Sequence, residues 1–342
     1  LSAHAFTPQP AEWDAFVQQQ PHAHLLQTSA WAALKAPAGW ACARVGLRDA
    51  AGRLCAGAQL LFRPLPLRLG TMAYLPMGPL LPDAAQADAL WAAIDAAARA
   101  RGAAFLKWEP GFPPPGAPAP QPAALGFAPS PQTIQPPRTV LIALDADDDG
   151  LLARMNQGTR RKIRQSQKND IRYWEAAAHE LPLFTGMMQM TGARNTFGVH
   201  SPDYYALAHR LFVPQHAALI LAEHEGEPLA GVMVFALGDS AWYLYGASSD
   251  SKRNLMAAYG VQWAAIRWAR ARGCRTYDMW GIPDEDEAVL EAQFQQRSDG
   301  LWGVYGFKRG WGGQVARTPG AWDRVCNPAL YAAYRLALRL RR

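Results

Sequence analysis

Short apolar runs separated by turn residues open the readable part of the chain. Ala41 to Leu47, Leu54 to Phe62 and Thr71 to Leu75 read as strands, divided by Asp49-Ala-Ala-Gly52 and Pro64-Leu-Pro66. An Ala-rich stretch from Ala84 to Arg101 predicts a helix stopped by Gly102, and Phe105-Leu-Lys-Trp108 predicts the next strand. Pro110 to Pro137 holds eleven prolines, which predicts an extended loop anchored at Leu125-Gly126-Phe127. Thr139 to Leu144 is another strand, followed by a solvated turn at Asp145-Ala-Asp-Asp-Asp149. The helix Gln157 to Lys168, the strand Ile171 to Glu175 and the helices Leu181 to Ala193 and Pro202 to Phe212 come next. Strands Ala217 to His224, Ala230 to Ala236 and Ala241 to Ala247 lead into a helix from Leu255 to Arg272 and a strand from Thr276 to Trp280.

Two distant segments of this pattern look alike. Trp91-Ala-Ala-Ile94, Arg101-Gly102, Phe105 and Trp108-Glu-Pro110 are echoed by Trp263-Ala-Ala-Ile266, Arg272-Gly273, Tyr277 and Trp280-Gly-Ile-Pro283. Each half thus reads strand, strand, helix, strand, and duplication of a whole α/β (α+β) domain explains the echo. The expected domains are residues 1–145 with 318–342, and residues 146–317. The order of elements resembles the centre of GNAT-type acetyltransferases, in which a Gly-rich loop before the helix holds the pyrophosphate of coenzyme A. The matching stretches here, Leu80-Leu-Pro-Asp-Ala-Ala and Lys252-Arg-Asn-Leu-Met-Ala-Ala, lack that loop.

Composition narrows the class. Half of the 342 residues are hydrophobic and 18% are charged, as in a packed globular protein. The net charge of +6 is compatible with an anionic partner. Four cysteines without metal or disulfide spacing point to a reducing cytosol. No metal site is expected, since His22 and His24 lack a third ligand at plausible spacing. No apolar run is long enough to cross a membrane, and the start at Leu1 has no secretory pattern.

Three stretches carry candidate chemistry. Gly303-Val-Tyr-Gly-Phe-Lys-Arg-Gly-Trp-Gly-Gly313 sets aromatic and cationic residues between glycines, which predicts a Gly-rich hairpin open to a ligand. Trp31 and Lys35 lie four apart on a helix capped by Thr28 or Ser29. Arg160, Arg161, Lys162, Arg164 and Lys168 crowd one helix, a density that suits phosphates or a solvated face.

His24-Leu-Leu-Gln-Thr-Ser-Ala-Trp31, Tyr74-Leu-Pro-Met-Gly-Pro79, Thr159-Arg-Arg-Lys-Ile163, Tyr243-Leu-Tyr245-Gly-Ala-Ser-Ser249 and Gly306-Phe-Lys-Arg-Gly310 resemble, in order, the motifs of the Fem-type peptidoglycan aminoacyltransferases. The resemblance spans nearly the whole chain. It implies two tandem GNAT-like domains, each a mixed sheet flanked by helices, that move an amino acid (glycine, alanine or serine) from aminoacyl-tRNA to the side-chain amine of the third stem-peptide residue. The acceptor would be UDP-MurNAc-pentapeptide or a lipid-linked muramyl peptide, and no cofactor is implied. A coenzyme A dependent N-acyltransferase is the alternative. Some members carry a coiled-coil arm in the second domain, for which Arg172 to Leu181 leaves no room.

By the same resemblance Lys308 would stabilise the developing oxyanion or the tRNA 3′ end, with Phe307 walling the site. Lys35 and Arg194 would grip the acceptor diphosphate, and Trp31, Tyr74, Tyr204 and Tyr245 would line the peptide channel. Asp83 is the carboxylate nearest to the position considered for a general base, though a lone Asp at a helix start also serves as a cap. The basic amphipathic tail Asn327 to Arg342 either touches an anionic membrane surface or packs on the first domain. A cytoplasmic monomer, in contact with the inner membrane face if the tail binds there, is the resulting expectation.

Overall fold

The computed structural model describes residues 4–20, 22–113, 116, 119–195 and 198–340, the side chains of 194 and 195 excepted. The chain divides into two units, Leu1–Pro137 with Thr318–Arg342, and Arg138–Arg317.

In the first unit the apolar runs pair in the order His4–Phe6, Ala41–Arg48, Leu54–Pro64, Thr71–Pro76, Ala103–Glu109, Trp322–Val325, Ala128–Pro129. Thr71–Pro76 and Ala103–Glu109 run parallel, because the helix Ala87–Ala100 carries the chain back between them. Leu90, Trp91, Ile94 and Ala98 recur at helical spacing and bury on the sheet against Leu60, Phe62, Leu75 and Leu106. Phe127 fastens the Pro-rich segment, its ring 5.5 Å from Trp91 and 5.3 Å from Trp108. Part of that segment (114–115 and 117–118) lies outside the described residues.

The C-terminal segment completes this unit. Asp323 is buried in the strand Trp322–Val325 and meets Lys107 Nζ at 2.8 Å, while Ser130 and Tyr331 donate their hydroxyls to its other oxygen at 2.8 and 3.0 Å. The tail helix Pro328–Arg339 lays Leu330, Tyr331 and Tyr334 on Phe105, so its aromatic face packs on the first unit.

The second unit repeats the plan in the order Gln314–Arg317, Arg138–Ala143, Thr276–Asp278, Ser240–Ser248, Glu227–Leu237, Ala217–His224, Arg172–Glu175. Ser240–Ser248 and Thr276–Asp278 are the parallel pair, joined through the helix Ala257–Ala271. Val232, Val234, Trp263, Ile266 and Tyr277 form part of its core. After Arg172–Glu175 the chain enters the helix Leu181–Asn195 through one short turn, Ala178–Glu180, with no coiled-coil arm.

Three expectations are corrected. The strand Arg138–Ala143, read as the close of the first domain, pairs with Thr276–Asp278 and Gln314–Arg317 in the second sheet. Apolar alternation identifies a strand but says nothing about its partner. The acidic stretch at 145–149 is not merely a turn: Asp147 caps the helix Asp148–Arg154, accepting from the Gly150 amide at 2.8 Å.

The third correction concerns Gly303 to Gly313, which forms no hairpin. Trp302–Lys308 is a helix that buries Trp302, Tyr305 and Lys308, three residues apart along one face. That helical spacing outweighs the glycine content. The following glycines admit close packing inside the protein: a Cβ at Gly312, where φ is +76°, would lie 2.7 Å from the Arg154 backbone, and one at Gly313 would lie 2.7 Å from the Leu141 carbonyl.

Candidate active site

In the second unit the helix Trp302–Lys308 ends by placing Lys308 inside the protein, 7% exposed. Its ammonium donates to the Gly281 carbonyl at 2.8 Å and the Trp280 carbonyl at 3.2 Å, and sits 5.6 Å from the centre of the Tyr243 ring. Burial pushes its pKa down to about 7, opposed by the charge of Asp278. Asp278 ends the strand Thr276–Asp278, where it accepts from the Thr139 hydroxyl and from the Trp280 amide at 2.7 Å. Burial raises its carboxyl to about 6 against those two bonds and the charge of Lys308. Trp280 takes φ +60°, a conformation that L side chains rarely adopt. Asp278 therefore holds the bend whose carbonyls receive Lys308.

Phe307 turns toward the protein. Its ring is 5.0 Å from Tyr259 and 5.6 Å from Trp311, and Lys162 donates to the Tyr259 hydroxyl at 2.9 Å. Arg309 is bound by both oxygens of Glu291 and lies 4.3 Å over Phe294.

A second cluster in this unit joins Tyr204 and Tyr245, whose hydroxyls are 2.9 Å apart. His200 stacks on Tyr204 at 3.8 Å, and Tyr205 meets the Tyr245 ring edge-on at 5.3 Å. Burial raises both the Tyr204 and the Tyr245 phenol, so each keeps its proton, and one of the two donates to the other. Arg194 belongs to the helix Leu181–Asn195, and its side chain lies outside the described residues.

The first unit holds the remaining candidates. Thr28 caps the helix Ser29–Lys35, and Lys35 Nζ lies 4.6 Å over the ring of buried Trp31. Burial lowers the Lys35 pKa to about 8. Tyr74 is fully buried, and its hydroxyl donates to Glu109 Oε2 at 2.5 Å while accepting from Gln135 Nε2 at 3.2 Å. The Ile134 and Gln135 amides also donate to the Glu109 carboxyl, which burial pushes above its ordinary range. Asp83 caps the short turn Ala84–Gln86 through the Ala85 amide at 2.9 Å and is exposed.

Sequence reasoning missed three buried carboxylates, Asp323 of the first unit and two beside the candidate residues. Glu109 ends an apolar strand just before Pro110, and Asp278 sits between apolar Tyr277 and Met279. An acid inside an apolar run must be paired or functional, and that is the signal by which both could be found.

Known proteins bear on this arrangement. The model of the FemAB family matches residues 9–113, 126–226 and 222–339. Lipid II:glycine glycyltransferases of Staphylococcus aureus, from strains MRSA252 and USA300 among others, are 27% identical over 94% of this chain and 92% of theirs. The crystal structure of FemX superposes with a TM-score of 0.83 at 24% identity, covering 96% of this chain and 99% of FemX. A tandem GNAT protein from the clavulanic acid biosynthesis pathway superposes with a TM-score of 0.54 at 14% identity, over 96% and 99% of the two chains.

Proposed function

The chain belongs to the FemAB family, and on that premise we propose that it transfers an amino acid from aminoacyl-tRNA to the side-chain amine of the third residue of a peptidoglycan stem peptide. The fold is GNAT-like in both halves. Glycine, alanine and serine are the candidate amino acids, and a muramyl peptide linked to UDP or to lipid is the acceptor. The names of the Staphylococcus aureus relatives favour the lipid-linked form and glycine. Lys35 is the proposed ligand of the acceptor diphosphate in the first unit, and the second unit takes the donor.

The observation that carries the proposal is the buried lysine. Attack of a neutral amine on the ester builds negative charge on the carbonyl oxygen, and collapse of that intermediate expels the ribose hydroxyl. Lys308, held by two carbonyls and steered by Asp278, supplies a cation in a site poor in water, where its field is strongest. Phe307 walls this site through its packing on Tyr259 and Trp311. The hydrogen-bonded pair Tyr204 and Tyr245 keeps one hydroxyl proton beyond its mutual bond, a neutral donor for the peptide. The proton released by the amine goes to water or to a substrate group.

Incubation with labelled glycyl-, alanyl- and seryl-tRNA, separately with UDP-linked and lipid-linked muramyl pentapeptide, tests the proposal. Label should appear on the muramyl peptide. Turnover of acetyl-coenzyme A with no transfer from any of the three tRNAs would reject it.

A further inference from the structure

The helix Gln157–Lys168 carries Arg160, Arg161, Lys162, Arg164 and Lys168 and no acidic residue. The whole chain has 34 basic and 28 acidic residues, so removing these five leaves 29 against 28. Nearly all of the surplus charge therefore resides on one helix. Arg160, Arg161, Arg164 and Lys168 line a groove along it, and none of the four meets a carboxylate among the ion pairs of the described residues. Arg160 instead donates to the carbonyls of Ala153 and Met155 at 3.1 and 2.7 Å. Arg161, Arg164 and Lys168 are exposed.

The regular spacing of this charge suits a polyanion. Arg160, Arg164 and Lys168 are each four residues apart, about 6 Å along a helix axis, so a strand of phosphates following the groove meets one cation per turn. The exposed face contains no large apolar side chain, the anchor that a helix lying in a lipid surface uses. The helix also leads to the buried lysine. At its start Asn156 donates its amide to the Gly310 carbonyl at 3.1 Å, two residues beyond Lys308. At its middle Lys162 binds Tyr259, on which Phe307 packs.

We propose that this groove holds the phosphate backbone of an RNA whose aminoacylated 3′ end reaches Lys308. The inference rests on the aminoacyl-RNA donor proposed above and locates where the body of that donor lies. The phosphates replace the water and counterions on Arg161, Arg164 and Lys168, so affinity for RNA falls steeply with salt.

The test is the affinity of the full chain for uncharged tRNA, by fluorescence anisotropy, at rising potassium chloride. Each lost phosphate contact removes about 0.7 to 0.9 from the slope of log affinity against log salt, so R161E/R164E/K168E should flatten it by about 2 to 3. From about 50 to about 200 mM salt the unaltered protein should then lose about 20- to 40-fold more affinity than the variant. The charge-preserving R161K/R164K/K168R should restore the steep slope, and matching thermal melts establish that all three proteins fold. An unchanged slope in the charge-reversed variant overturns the proposal. So does loss of pelleting with phosphatidylglycerol vesicles while the tRNA slope stays as it was, since the groove would then serve a membrane. Binding needs no turnover, which separates the two readings. A chain that transfers no amino acid but keeps a salt-steep, groove-dependent affinity for tRNA refutes the donor's chemistry alone. A chain that transfers normally with a groove-independent slope refutes this site alone.

Discussion

Replacing Lys308 by methionine should stabilise the protein at mildly acid pH while abolishing transfer, and the gain should vanish as pH rises. Lys308 is 7% exposed and its pKa falls from 10.5 to about 7 on folding. A pKa lowered by one corresponds to about 1.4 kcal/mol, so keeping the buried cation charged costs about 5 kcal/mol below pH 7. Between the folded and unfolded pKa values the unfolded chain binds more protons, so the stability of the unaltered protein rises with pH across that window. By pH 9 the remaining cost is about 2 kcal/mol. Methionine matches the volume and carries no charge, but it leaves the Trp280 and Gly281 carbonyls without their donor, a loss of about 2 kcal/mol. The variant should therefore exceed the unaltered protein by about 3 kcal/mol at pH 6 and equal it near pH 9. Urea unfolding at a series of pH values, read by tryptophan fluorescence, measures this directly. A pH-independent difference, or a variant less stable at pH 6, would refute the view that Lys308 is a buried cation held at a cost.

Further substitutions probe the parts around it. Lys308→Ala should lower turnover far more than acceptor affinity; steady-state kinetics showing an equal loss in both would make the residue a substrate ligand only. Asp278→Asn keeps the size but removes the charge that raises the Lys308 pKa, so the apparent lysine pKa in a turnover profile should drop below about 7. Asp323→Leu removes the counter-charge of the buried Lys107 ammonium and should cost about 3 to 5 kcal/mol in urea unfolding. Gly312→Ala meets the Arg154 backbone at 2.7 Å with φ at +76°, and should destabilise by about 2 kcal/mol or more.

Local pattern made much of this fold readable. The paired strand, strand, helix, strand halves follow from apolar alternation and from Trp91 and Trp263 lying within equivalent helices, and the basic helix is visible from its composition alone. Partnership between distant strands is another matter: Arg138–Ala143 has the same alternation whichever sheet it joins, and only the completed pairing assigns it. Glycine content misled at residues 303–313, because propensity is a weak prior against three buried side chains on one helical face. Lys308 could be named by motif, but its partners could not. The carbonyls of Trp280 and Gly281 are backbone atoms and leave no trace in residue types, and Asp278 lies 30 residues earlier in the chain. Likewise the link from Tyr74 to Glu109 exists only because their strands run parallel side by side.

The central claim is that a cationic Lys308 assists attack by a neutral amine, and the pH dependence of single-turnover transfer from aminoacyl-tRNA at saturating acceptor tests it most directly. An amine acceptor with pKa near 10.4 makes the logarithm of the rate climb by about one per pH unit, and loss of the Lys308 proton above about pH 7 cancels that climb. The profile should rise to about pH 7 and then run flat, whereas Lys308→Ala should keep rising through that point from a lower rate. A slope near two below pH 7 would mean that Lys308 works as a neutral base, and an unbroken rise through pH 7 in the unaltered protein would remove it from the chemistry.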